Sequence, residues 1–175
     1  SYADASVIDQ TYFIQLLGED GGHLPVSKLV RYRVPTTGAG ALMPPQVLSD
    51  TAFEMPALHP DHRGHPYRFT YGYGFDKPGD LNDTLYKVDL RAQAGERLTR
   101  WSQPSCYPSE PVFVPRPGSQ DEDDGVVLSV LLDAGKGRSF LLVLDARSFT
   151  ELGRAWVGYP IPFGLHGIYA PAGAP

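Results

Sequence analysis

Three residues of types that bind or support metal ions recur at one fixed interval along the chain. Glu54, Glu110 and His166 are each separated by 56 positions, and the turns around Asp89 and Asp145 that precede the last two recur at the same interval. A period near 50 residues is typical of an array of similar structural units. Polar residues at the same place in each unit are expected to face a common point, and that point is the candidate functional site.

The composition favours one domain built from short strands and many turns. The 175 residues include 19 Gly and 17 Pro, 36 together, a content that disfavours long helices. The net charge of −5, without a cluster of Lys or Arg, argues against binding to the phosphates of nucleic acids. The single cysteine, Cys106, cannot form an internal disulfide, so we expect it to be a buried apolar residue in a reducing, cytoplasmic compartment.

The longest apolar runs, Val126–Leu132 and Phe140–Leu144, are too short to span a bilayer, which requires about 20 residues. The chain starts without a Met, directly in sequence that looks ordered, and we interpret it as part of a larger protein. Contact with a membrane surface is therefore expected only through segments outside this chain.

The pattern of apolar residues predicts an all-β fold with one short N-terminal helix over 5–17, capped by Asp4 and ended by Gly18. Short antiparallel strands at this period indicate a β-propeller, of which the chain would hold about three blades, as part of a single domain over residues 1–175. Propellers close with about 4–8 blades, so further blades are expected upstream. The predicted strands are Lys28–Val34, Gln46–Leu48, Tyr67–Gly74, Thr84–Leu90, Arg97–Trp101, Val112–Val114, Gly125–Leu132, Phe140–Leu144 and Gly153–Val157.

The chain that connects one blade to the next carries side chains toward the central axis of a propeller. The segments 53–56, 107–111 and 163–167 are predicted to form such connections, and each would deliver one side chain to the axis. Imidazoles there could bind iron, copper, nickel or zinc, and carboxylates one layer out could orient the imidazole rings. An ordinary role for Glu54 and Glu110 as turn residues explains their spacing equally well, since turn positions also recur in repeats.

Seven segments, in order along the chain, carry a resemblance to a known family. They are Asp4–Asp9, Phe53–Pro56, Tyr71–Gly74, Tyr107–Pro115, Glu122–Ser129, Leu142–Ala146 and Ile161–Gly167. Together they resemble the C-terminal portion of the carotenoid cleavage oxygenases. The resemblance implies a seven-bladed propeller with one Fe(II) on its axis, bound by four histidines, three of them supported by glutamates. It also implies an enzyme that splits a conjugated carbon–carbon double bond of a carotenoid, apocarotenoid or stilbene-like phenol with O2, giving two carbonyl products.

The resemblance assigns a role to each of the three evenly spaced residues. His166 matches the last iron ligand, and Glu110 matches the glutamate that orients it. Glu54 matches the glutamate that orients the preceding ligand, which in the family lies just upstream of this chain. The other three histidines and the third glutamate are then outside the chain, which by itself is expected to be an inactive fragment.

Apolar neighbours of these residues are candidates for the wall of a substrate tunnel. Met55, Phe163 and Leu165 could line it, and ordinary core packing explains them at least as well. Two alternatives remain open for the function. One is a retinoid isomerase-like or stilbene-cleaving member of the same family, and the other is a non-catalytic propeller that serves as a binding scaffold.

Two further motifs have the composition of metal sites but are interpreted as loops. His59, His62 and His65 are spaced as a metal cluster, yet they lie among Pro, Asp and Gly and are predicted to be solvated. The segment 121–125 is acidic but lacks the Gly and Glu that a calcium-binding EF-hand loop requires. We predict an acidic turn whose Asp side chains bond to nearby backbone amides.

Overall fold

The fold was analysed in a computed structural model, which describes residues 26–33, 43–76, 81–93, 95–164 and 166–171. These residues form eleven short β-strands and a single 3-10 turn at Pro60–His62. The predicted all-β class is therefore confirmed for this part of the chain. The helix predicted over 5–17 and the turn near Val34 lie outside the described residues. Within the same ranges, no helix is long and apolar enough to cross a membrane.

The strands form three antiparallel sheets, which follow one another along the chain. Sheet A is a two-stranded hairpin, sheet B is a four-stranded meander, and the first strand of sheet C is split into two pieces that both pair with the second. The strands are β1 (Lys28–Arg31) and β2 (Gln46–Ala52) in sheet A; β3 (Glu54–Ala57), β4 (Phe69–Gly74), β5 (Thr84–Asp89) and β6 (Leu98–Ser102) in sheet B; and β7 (Cys106–Pro108), β8 (Val112–Pro115), β9 (Gly125–Asp133), β10 (Arg138–Asp145) and β11 (Glu151–Trp156) in sheet C.

All nine predicted strands are present, with ends that differ by a few residues. Strands β3 and β7 were not predicted, because Pro56 and Pro108 favour a connection over a strand. The interpretation of 53–56 and 107–111 as simple connections is therefore wrong in part. Each segment overlaps the first strand of a sheet.

The main hydrophobic core lies between sheets B and C. Along β9, Val127 and Leu131 are fully buried while Leu128, Val130 and Leu132 are partly exposed, the alternation expected of a strand with one face on the core. The ring of Tyr71 stacks on that of Phe113 with centroids 5.3 Å apart. Cys106 lies in this core, and burial raises the pKa of its thiol. The apolar role predicted for Cys106 is confirmed.

The acidic segment 121–124 ties sheet C to sheet B. The Glu122 carboxylate accepts hydrogen bonds from the backbone N–H groups of Arg68 and Phe69, both at 2.7 Å. The Lys87 ammonium, on a side chain that is 7% exposed, lies 2.8 Å from the Asp123 carboxylate. The prediction that the Asp side chains bond to nearby backbone amides is therefore wrong for Asp123. Glu122 and Asp123 have their partners on sheet B, whereas Asp121 and Asp124 pair with Arg147 and Arg116.

The structure also corrects the interpretation of the histidine-rich loop. His59 is only 8% exposed, and its ring lies 5.3 Å from that of Phe113, so it belongs to the core and not to a solvated loop. Its Nδ1 accepts a hydrogen bond from the backbone N–H of Asp61 at 3.2 Å. His62 is partly exposed, with its Nδ1 2.9 Å from the carbonyl oxygen of Pro66.

Candidate metal centre

A β-bulge in the first strand of sheet C positions Glu110. Strand β7 ends with Pro108 opposite Leu131, and β8 begins with Val112 opposite Leu128. Three residues, 109–111, therefore span a stretch that faces two residues of β9. A bulge of this kind redirects side chains out of the regular alternation of the strand. Glu110 lies at its centre.

The segment that carries His166 is fixed to β10 by the buried residue Ser139. The backbone N–H of Val157 donates to the Ser139 carbonyl at 2.8 Å, and the Ser139 N–H donates to the carbonyl of Tyr159 at 3.2 Å. The N–H of Ile161 donates to the Ser139 hydroxyl oxygen at 2.8 Å. These three bonds set the direction in which the chain leaves β11. It then reaches the bulge of β7 and β8.

Glu110 and His166 are in direct contact. The Nδ1 atom of His166 lies 3.1 Å from Oε2 of Glu110, and the backbone N–H of Gly167 donates to Oε1. Because a carboxylate only accepts hydrogen bonds, Nδ1 carries the proton in this contact, and in the neutral imidazole Nε2 keeps its lone pair. The Glu110 side chain is 16% exposed and that of His166 is 72% exposed. The ring is thus held from its buried side and open on the other.

Glu54 lies directly before a similar bulge in sheet B. It pairs with Tyr73, while Ala57 pairs with Tyr71, so Met55 and its neighbour form a bulge in β3. Met55 has a φ of 48°, in the left-handed region, as a bulge allows. The recurrence of glutamate at 56 residues therefore reflects a bulge in the first strand of two successive sheets.

The carboxylate of Glu54 has its own partners. Its Oε1 accepts a hydrogen bond from the Ser27 hydroxyl at 3.2 Å, and its Oε2 lies 3.5 Å from the Asn82 amide nitrogen. No histidine is recorded against it in the part of the chain that the structure describes. The role of Glu54 in orienting a ligand upstream of this chain stays a prediction.

An apolar cavity of about 380 Å³ lies beside the Glu110–His166 pair. Phe163 is one of its walls and meets the ring of Tyr107 edge-on, with centroids 6.5 Å apart. Met55 is not among the residues that line it, and Leu165 lies outside the described residues. The tunnel role of these three residues stays a prediction. The other apolar walls are Val112, Leu128, Val130, Leu132, Leu141, Ile161 and Ile168.

The Glu110–His166 pair has the chemistry of a single histidine ligand with its supporting carboxylate. The residues that the structure describes do not supply the other ligands of a metal site. A ligating histidine typically donates its second ring N–H to a carboxylate, which fixes the tautomer and raises the basicity of the ligating nitrogen. Glu110 and His166 have this arrangement. Among the residues described, no three His, Cys, Asp or Glu side chains come together as a metal site. One imidazole from this chain would have to be joined by ligands from elsewhere in the protein.

Comparison with known proteins identifies the family. Residues 1–171 match the model of the family described as retinal pigment epithelial membrane protein. Carotenoid cleavage dioxygenase 8 of Arabidopsis thaliana, a chloroplastic protein, is 35% identical over 175 residues, which cover 97% of this chain and 30% of that protein. The human mitochondrial carotenoid-cleaving dioxygenase is 45% identical over 120 residues, covering 67% of this chain and 20% of that protein.

Solved structures agree with the sequence comparison. The cobalt-substituted apocarotenoid oxygenase of Synechocystis superposes with a TM-score of 0.77 at 31% identity, covering 84% of this chain and 31% of that one. The chain thus spans about a third or less of the length of the relatives that it matches. With its antiparallel all-β architecture and its match to the family model over nearly its whole length, the chain belongs to the carotenoid oxygenase family.

Proposed function

We propose that the full-length protein is an Fe(II)-dependent dioxygenase that cleaves a conjugated carbon–carbon double bond of a carotenoid or apocarotenoid with O2, giving two carbonyl products. The observation that carries this proposal is the hydrogen bond from His166 Nδ1 to Glu110 in a chain of this family. A binding scaffold has no need for an exposed imidazole whose tautomer is fixed by a buried carboxylate.

Fe(II) would supply the open coordination positions at which O2 is activated, and the residues of this chain would hold it in place. His166 would provide one ligand through Nε2. Glu110 would keep the proton on Nδ1 and stop the ring from rotating, with Gly167 N–H fixing the second carboxylate oxygen. That a solved relative is a cobalt-substituted protein supports a transition-metal site in this family.

The sheets are proposed to be blades of a seven-bladed propeller. Sheets B and C each have four antiparallel strand positions, as a propeller blade has, with β7 and β8 sharing the first position of sheet C, and sheet A would be the outer part of a third blade. The bulge that carries Glu110 and the bulge that follows Glu54 lie in the first strand of each sheet, the strand nearest the axis in a propeller. The remaining blades and ligands would come from the part of the protein outside this chain, which the length of the relatives accommodates.

The proposed substrate is an apolar conjugated molecule, because the cavity beside His166 is walled mainly by aliphatic and aromatic side chains. The names of two relatives, which describe them as carotenoid-cleaving dioxygenases, also support an apolar conjugated substrate. The cytoplasmic location and a peripheral contact with membranes stay predictions, and the relatives named above are a chloroplastic and a mitochondrial protein.

Isotope-labelled O2 tests the reaction directly. The full-length protein, loaded with Fe(II) and given a carotenoid or apocarotenoid, is expected to release aldehyde or ketone products that carry label from O2. Substrate cleaved without label in either product, or no cleavage of any of a panel of carotenoids and stilbenes by the iron-loaded protein, would contradict the proposal.

Isomerisation of a retinoid is a second candidate function, and the name of one relative favours it. The carotenoid isomerooxygenase of Galleria mellonella is 37% identical over 183 residues, which cover 98% of this chain. In an isomerase the same metal would act as a Lewis acid on a retinoid. The labelled-O2 experiment separates the two, since an isomerised product without added oxygen identifies the second function.

A further inference from the structure

The bulge that carries Glu110 is closed by two serine hydroxyls. The backbone N–H of Ser109 donates to the carbonyl of Val130 at 2.8 Å, as in a regular ladder. The bulge displaces the carbonyl of Ser109, so the N–H of Val130 donates instead to the Ser109 hydroxyl oxygen at 3.2 Å. The displaced carbonyl accepts a hydrogen bond from the Ser129 hydroxyl at 2.8 Å.

The extra residue in the bulge prevents two hydrogen bonds between the backbones of the paired strands. The Ser109 hydroxyl replaces the partner of the Val130 N–H, and the Ser129 hydroxyl replaces the partner of the Ser109 carbonyl. Buried backbone groups are almost always paired, and an unpaired one is costly. Ser129 is 3% exposed, in the middle of β9, and its hydroxyl is the donor to the carbonyl of Ser109. Without the Ser129 hydroxyl, that carbonyl would have to rotate toward another donor. Glu110 is the next residue, so a rotation of the peptide between them changes the direction of the Glu110 side chain.

We propose that Ser129, acting through Ser109, is a positioning residue for the Glu110–His166 pair. This inference rests on the proposed function, in which that pair supports a metal ion. The Ser129 hydroxyl fixes the Ser109–Glu110 peptide, and the peptide fixes the carboxylate. The carboxylate in turn fixes His166 Nδ1 and the N–H of Gly167.

The bulge in sheet B is accommodated by different residues from those in sheet C. In sheet B, Gly72 of β4 lies opposite the bulge, where an added Cβ would be 2.9 Å from the carbonyl oxygen of Glu54. In that sheet the hydroxyl of Thr70 donates to the carbonyl of Ala57 at the end of the bulge, at 3.0 Å. In both sheets, a buried hydroxyl of the second strand thus donates to a backbone carbonyl within three residues of the glutamate.

The test measures Fe(II) affinity of the full-length protein by competition with a chelator, together with its unfolding in urea. Ser129→Ala is expected to weaken Fe(II) affinity by roughly 2–10-fold, the equivalent of one hydrogen bond. Ser129→Thr keeps the hydroxyl and is expected to restore affinity to within about twofold of the parent. Ser148→Ala is the matched control, because its hydroxyl donates to Asp145 in a turn outside the site. It is expected to leave Fe(II) affinity unchanged.

A double-mutant cycle separates positioning from general stability. If Ser129 acts through Glu110, then Ser129→Ala adds little to the loss already caused by Glu110→Gln, and the two effects are not additive. Full additivity, or a Ser129→Ala variant with parental affinity, would overturn the inference. Retention of Fe(II) by His166→Ala would instead overturn the proposed function, so the two failures are distinguishable. If Ser129→Ala does not fold, Ser109→Ala, which removes the other hydroxyl, provides the same cycle.

Discussion

At the residue scale, the carboxylate of Glu110 is better placed to orient a ligand than to be one. Both of its oxygens are engaged, one by His166 Nδ1 and one by the N–H of Gly167. The His166 ring, in contrast, is mostly exposed and has Nε2 free of the carboxylate. The Glu110 carboxylate therefore orients the ring, because both of its oxygens are hydrogen-bonded. The imidazole can bind a metal, because its Nε2 makes no contact with the carboxylate.

Glu110→Gln in the full-length protein should therefore weaken Fe(II) binding without abolishing it. The amide can still bond to the N–H of Gly167, but it loses the charge that holds the proton on Nδ1 of His166. We expect affinity or activity to fall by about 10–100-fold. Glu151→Gln removes a carboxylate that pairs with Arg154 away from the site and serves as the control. Equal Fe(II) affinity in Glu110→Gln and the parent would show that Glu110 does not orient the ligand.

The residue types and spacing of this pair could be predicted from the sequence, whereas the bonds that close its bulge could not. Glu110 and His166 stand out because the 56-residue period places them in equivalent positions. Ser109 and Ser129 carry no such signal, since small hydroxyl residues are common in strands and turns alike. Their role depends on a register shift between β7, β8 and β9, which the sequence does not display.

At the element scale, glycines in β4 allow the bulge of β3 to form. An added Cβ at Gly72 would collide with the ring of Phe53, and one at Gly74 would collide with the carbonyl of Ala52. The sequence pattern Gly72-x-Gly74 thus has a packing explanation. This explanation becomes visible only when β3 is placed against β4.

Gly72→Ala should push Phe53 and the start of β3 away from β4. We expect the free energy of unfolding to fall by about 1–3 kcal/mol, the usual cost of overpacking. Gly153→Ala is the matched control, because no atom lies within 4 Å of a Cβ at that position of β11. Urea unfolding of both variants checks this. A Gly72→Ala variant as stable as the control would show that the close approach of β3 and β4 is not as the structure describes.

Strand prediction succeeded where apolar residues alternate and failed where proline interrupts them. Strands β9 and β10 have long apolar runs bounded by turn residues, and both were predicted within a few positions. Strands β3 and β7 are short and contain Pro56 and Pro108, and hydrogen bonding to a neighbouring strand alone reveals them. Those two strands flank or contain the glutamates, so the part of each sheet nearest the site was the hardest to predict.

At the scale of the whole molecule, sheets B and C are joined by a buried ion pair as well as by the core. Lys87 of β5 reaches Asp123 at 2.8 Å and the carbonyl of Arg147 at 2.9 Å, and its ammonium lies 4.3 Å from the centre of the Phe69 ring. The sequence alone predicted an acidic turn over 121–124 whose Asp side chains bond to nearby backbone amides. The partners are too distant in sequence for a local pattern to reveal them.

Lys87→Met should destabilise the protein by about 2–4 kcal/mol, because it leaves the Asp123 carboxylate nearly buried without its main partner. The double variant Lys87→Met with Asp123→Leu should recover much of that loss, since it removes both charges. Urea unfolding of the parent, the single variant and the double variant measures both effects. A single variant as stable as the parent would show that the pair does not hold the two sheets together.

The central claim is that His166 is a metal ligand supplied by this part of the protein, and Fe(II) content tests it most directly. The full-length parent, purified under anaerobic conditions and supplied with Fe(II), is expected to retain about one Fe(II) per chain. His166→Ala is expected to retain almost none, while His62→Ala, which changes a partly exposed loop histidine, should match the parent. Equal Fe(II) content in His166→Ala and the parent would contradict the claim.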